Sequence, residues 1–197
     1  MDNNYTEKDI ISILENPFIC QLSNTEYGKM VQSAAEEYIE IKVNQISKEK
    51  VLLKVNSSHQ LTEQYDYHNN GPGFDRLTKN GGRIQIKFRQ VSGKTPYTQQ
   101  THFSNTRRHS KKNKGYGDKT GMITYRKDEF DFVLVILCHI KDGFRTEHKK
   151  WSFSLIPNHE LIDVNNSSFL LPNIPSDKLY KYKCDDIYML TNKLMKS

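Results

Sequence analysis

Three cysteines, Cys20, Cys138 and Cys184, are too few, too widely spaced and odd in number to build a disulfide framework or a CxxC metal site. Long apolar runs are also missing. The longest, Phe130 to Ile140, is interrupted by Asp131 and His139 and is too short to span a bilayer. The opening residues, MDNNYTEKD, show no basic stretch followed by an apolar one, so a secretory signal is not expected and a soluble, cytoplasmic protein is. No internal repeat is present. The length of 197 residues suits one sizeable core and is short for two, so a single domain over residues 1–197 is expected. A mean hydropathy of −0.75 is polar for an enzyme, yet 11 Tyr, 9 Phe and 1 Trp argue against disorder.

What the sequence does have is charge in one place. From Asp75 to Lys127 there are 14 Lys and Arg against two acids, Asp75 and Asp118. That is a local net of +12 against +6 for the whole chain, so the remainder carries −6. A polyanionic partner accounts for such segregation, because each phosphate neutralised releases condensed counterions. The competing reading is a solvated basic surface.

Residues 7–15 (EKDIISILE) pattern as a short amphipathic helix, and 25–46 as a longer one with Thr25 as a possible cap. On the second helix Tyr27, Met30, Val31, Ala34, Tyr38 and Ile41 share an apolar sector, with Glu37 on its flank and Glu36 pointing nearly opposite. KVLLKV at 50–55 is either a short strand or a continuation of the helix. Residues 74–77 and 83–89 read as two strands joined by the Lys79-Asn80-Gly81-Gly82 turn. In the second strand Ile84, Ile86 and Phe88 alternate with Gln85, Lys87 and Arg89. FDFVLVILC at 130–138 predicts a central strand buried on both sides, WSFSLI at 151–156 another strand, and the chain's end a short helix.

The chemistry is concentrated in GPGFDRLTKNGGRIQIKFRQ, residues 71–90. Gln85 and Lys87 are two apart on a strand and project from one face, and the hairpin allows Asp75 to lie beside them across the pairing. Hydrolysis of a phosphodiester needs a divalent ion on hard oxygen ligands and a positive group near the attacking water or the phosphate. Asp75 offers a carboxylate, Gln85 a neutral carbonyl oxygen and Lys87 an ammonium. A Gly-rich turn, an Asp, about nine residues, then an apolar residue and Gln-x-Lys resembles the catalytic hairpin of the PD-(D/E)xK nucleases. The Gln departs from the usual acid but is similar to the variant of Mrr-like restriction endonucleases.

That resemblance implies an α/β fold, a mixed central sheet of four to six strands flanked by helices (a restriction endonuclease-like core). It implies a Mg²⁺-dependent deoxyribonuclease, most simply a sequence-specific type II restriction enzyme that leaves 5′-phosphates. Asp75 and Gln85 would bind the metal and Lys87 would orient or activate the water. Members of the superfamily often add an acid from an N-terminal helix, for which Glu37 is the candidate. The DNA-contacting residues would be Gln99, Gln100, Asn105, Arg107, Arg108 and His109, with Lys111, Lys112 and Lys114 on phosphates and Arg89 on the scissile-strand backbone. Arg107 and Arg108 suit guanine or phosphate equally. Double-strand cutting by a small domain implies a homodimer, and restriction implies a cognate DNA methyltransferase. A repair or junction-resolving nuclease and a non-catalytic basic nucleic-acid binder are the alternatives. His139, His148, His159 and Cys138 match no zinc spacing, and Asp128 and Asp131 at the edge of the core strand read as structural.

Overall fold

The run of apolar residues after Asp131 forms the centre of the molecule. The computed structural model describes residues 6–55, 74–92, 101–102, 125, 127–161, 170 and 173–197. Strand β5 (Phe132–Lys141) lies between β3 (Arg83–Ser92), parallel to it, and β7 (Ser152–Pro157), antiparallel. With neighbours on both edges and packing on both faces, its residues 133–138 are fully buried, which is why no polar alternation interrupts them. The sheet runs in the order β1 (Leu52–Lys54), β2 (Arg76–Thr78), β3, β5, β7 and β9 (Lys183–Cys184), with β6 (Phe144–Arg145) pairing back onto β5. The fold is α/β, with a mixed seven-stranded sheet flanked by helices. That exceeds the four to six strands expected because β6 and β9 are two residues each, too short to leave a periodic signal. A separate two-stranded pair joins β4 (Thr101–His102) to β8 (Asn173–Ile174).

Helices α1 (Glu7–Leu14), α2 (Asn24–Ser47) and α4 (Ile187–Leu194) cover one face of the sheet, where Val31, Ala35, Ile39 and Val43 meet Ile84, Ile86, Leu134 and Ile136. The other face buries Phe74, Leu77, Tyr125, Val133, Val135 and Leu137, with Leu179 from α3 (Ser176–Lys181). Helix α2 is capped by Ser23 rather than Thr25. Ser23 accepts from the Glu26 amide while Glu26 reaches back to the Ser23 amide, a reciprocal arrangement that satisfies two otherwise orphaned donors. The helix stops at Lys48, whose φ of +58° breaks the helical ladder, and the chain turns into the strand at 52–54. The Asn44 side chain holds that turn, accepting from the Val51 and Leu52 amides at 2.8 and 2.9 Å. None of the described helices is long and apolar enough to cross a membrane.

Candidate active site

The expected hairpin forms. Arg76 pairs with Ile84 and Leu77 with Arg83, and the turn between them carries Gly81 at φ +88°, a left-handed conformation that costs glycine least. Strand β2 is only three residues long, so the edge of β3 runs on past the end of that pairing. Asp75 takes over there. Its amide donates to the Ile84 carbonyl at 2.8 Å, and its carboxylate accepts from the Ile86 amide at 2.6 Å and from the Gln85 side-chain amide. The acid therefore substitutes for a strand residue and is fixed to the backbone that carries Gln85 and Lys87.

Gln85 and Lys87 are 4% and 8% exposed, uncommon burial for two polar side chains on a strand. The Gln85 nitrogen is directed at Asp75; half a turn of the amide exchanges it for the oxygen that a cation requires. Lys87 donates to the Tyr125 hydroxyl at 2.9 Å and lies 5.0 Å from the centre of that ring. Tyr125 packs edge-on against Phe130, so the lysine's partner is held by the core of the second sheet face. No spacing rule connects Tyr125 to the motif, and the sequence offered no signal for it.

The acid that α2 brings to the site is Glu36, not Glu37. Burial raises the Glu36 carboxyl to about 7, reinforced by the nearby negative charge of Asp75; Arg76, a hydrogen bond from Gln32 and Lys87 oppose the rise. The Gln32 bond is 3.1 Å long. Glu37 instead pairs with Lys54 at 2.6 Å and with Arg76 at 3.2 Å. Of the expected apolar sector Tyr27, Val31, Ala34 and Tyr38 are buried, but the sector ends too early on one side and runs too far on the other. Met30 is 54% exposed, while Ala35, Ile39 and Val43 are fully buried. That moves the buried face toward Glu36, which shares a row of three- and seven-residue steps with Ile39 and Val43.

The Asp75 carboxylate disfavours charge on Glu36, and the Gln85 amide donates to Asp75. Two carboxylates and an amide are hard oxygen donors of the kind Mg²⁺ prefers, and a divalent cation would relieve their repulsion. The residues present therefore fit the ion. Among the described residues no group of three or more His, Cys, Asp and Glu could hold a metal.

Arg89 is half-buried, on the face of β3 that carries Gln85 and Lys87. Gln99, Gln100, Asn105, Arg107, Arg108, His109, Lys111, Lys112 and Lys114 lie outside the described residues. Asp131 is structural: it accepts from the Arg83 amide and guanidinium at 2.8–3.0 Å, pinning the start of β3 to that of β5, and these bonds lower its pKa. His139 bonds Ser152 at 2.8 Å, and His148 is buried edge-on against Tyr38. No protein-family model matches the chain, and no curated protein is similar to it in sequence.

Proposed function

We propose that the protein is a Mg²⁺-dependent deoxyribonuclease of the PD-(D/E)xK type, acting as a sequence-specific restriction endonuclease. The observation that carries this reading is that Asp75 accepts from Gln85 and its charge reaches Glu36, with Lys87 two residues along the strand from Gln85, on a mixed α/β sheet. Asp75, Glu36 and the rotated Gln85 amide would hold the ion, which supplies Lewis acidity to the scissile phosphate and its attacking water. Asp75 is fixed by two backbone bonds, so its carboxylate is oriented before substrate arrives. Lys87, aimed by Tyr125, contributes positive charge to orient the water and stabilise the charge developing on the phosphate. The basic excess from residue 75 to 127 supplies the attraction for DNA. A homodimer on a palindromic site and a protecting methyltransferase complete the proposal.

Incubating the protein with plasmid DNA of known sequence and Mg²⁺ tests it. Discrete fragments with 5′-phosphate ends are expected, and Asp75→Ala should abolish cutting while DNA binding persists. A smear would indicate a nonspecific nuclease, selective cutting of branched DNA a resolving or repair enzyme, and intact plasmid with retained binding a non-catalytic protein.

A further inference from the structure

We propose that Arg76 is a positioning residue which, clamped by Glu37 and Glu40, sets the separation of Glu36 from Asp75; this rests on the nuclease reading above. The side chain of Arg76 is 4% exposed, and its three nitrogens serve three different groups. Nη1 donates to the carbonyl of Asp75 at 2.9 Å, while Nε, 2.6 Å from Glu40 Oε2, and Nη2, 3.2 Å from Glu37 Oε1, form ion pairs whose N–H bonds are not aligned on the carboxylates. One guanidinium thus joins the backbone of the acid on the hairpin to the turn of α2 that bears the other acid. Glu37 is itself held by Lys54 of β1, so the neighbouring strand braces the same arm.

A buried ion cluster of this kind is a poor source of stability, since desolvation offsets most of the attraction. What it does supply is geometry. One donated bond to Asp75 and two close ion pairs around a planar, buried guanidinium restrict the spacing of α2 and β2, whereas apolar packing between them would tolerate sliding. Its location is informative too. Glu37 and Glu40 follow Glu36 by one and four residues on the helix, and Arg76 directly follows Asp75, so any shift at the clamp is passed to both acids through a few backbone units. Glu37 accordingly acts through Arg76 and is not itself a ligand.

Lysine at position 76 retains the charge and loses the fork, which separates geometry from electrostatics. The measurement is binding of Mn²⁺ to the full chain without DNA, followed by loss of the free-ion electron paramagnetic resonance signal. Arg76→Lys and Glu40→Gln are each expected to weaken Mn²⁺ binding about tenfold, at the low end for residues that orient ligands. Neither should weaken it further in a Glu36→Gln background, because the group being positioned is then gone. Glu37→Gln should follow the same pattern; an additive loss in that background would make Glu37 a ligand and overturn the assignment. Wild-type affinity in Arg76→Lys, or equal losses with and without Glu36, would overturn the clamp. If Arg76→Lys does not fold, Glu40→Gln, which removes one arm and keeps Arg76, is read by the same criteria. Absence of Mn²⁺ binding by the wild-type chain would instead overturn the nuclease reading itself, and the clamp with it.

Discussion

At the level of single residues, the unusual position is Gln85, which on the proposed function supplies a neutral oxygen where an acid would be expected. Replacing it by Glu conserves size and adds a hard anionic ligand beside Asp75 and Glu36. The Mg²⁺ concentration for half-maximal cleavage should fall, even if the maximal rate drops through repulsion of the phosphate or pairing with Lys87. Gln85→Ala should raise it. Identical metal dependence in all three proteins would remove Gln85 from the site. Glu36 makes a second prediction, independent of catalysis. Its carboxyl holds a proton to about 7 in the fold, against 4.5 for an ordinary Glu, with burial the main cause. The native state therefore binds more protons than the unfolded chain between those values, and stability declines as pH rises through the window. With chelator present, Glu36→Gln should raise the Tm at about pH 8 and leave it nearly unchanged at about pH 4. A gain of the same size at both would show that something other than charge is responsible.

Individual elements show why some of this was legible in the chain and some was not. The hairpin was readable because alternation in Ile84 to Arg89 and a glycine turn are local signals, and its register follows from the turn. The central strand was readable because two-sided burial leaves no polar residue to blur it. The full width of the buried face of α2 was not. A long helix packed against both a sheet and another helix has an apolar arc wider than one stripe, and its centre depends on partners such as Ile84 that are distant in sequence. Tyr125 and Arg76 escaped for a related reason: each acquires its role from tertiary contacts alone. The turn itself is open to test. A Cβ at Gly82 would fall 2.9 Å from Thr78 Oγ1, the atom that accepts the Gly82 amide. Gly82→Ala should thus cost about 1–2 kcal/mol in urea unfolding. An unchanged unfolding midpoint would mean that Thr78 rotates away freely and the turn is not held by that bond.

For the molecule as a whole, the separation of charge into a basic stretch and an acidic remainder gives the proposed DNA binding a quantitative test. Each phosphate contact contributes about −0.9 to the slope of log affinity against log salt, so a steep negative slope is expected for any duplex. Replacing Lys112 should flatten it by roughly one and weaken all sequences alike, whereas a base-reading Arg107 or Arg108 should cost roughly 1–3 kcal/mol on the cognate site only. Equal losses on cognate and random duplexes from every one of these changes would reduce the segment to a nonspecific clamp.

The parallel pairing of β3 with β5 bears on how the protein reaches its working form. Asp75 and Gln85 are 10 residues apart and meet through a tight turn, whereas the Arg83–Asp131 contact that begins the β3–β5 pairing spans 48. Closing a small loop requires little loss of chain entropy, while a long parallel crossover must surrender that entropy before its contacts compensate, and is correspondingly slow. Asp75 and Gln85 can therefore associate early in folding. The register that places Lys87 against Val135, and with it the wall that holds Tyr125, arrives only when the large loop has closed. On the proposed function, the groups that would bind the cation assemble ahead of the lysine's final environment, and competence to cut is the last property a newly made chain acquires.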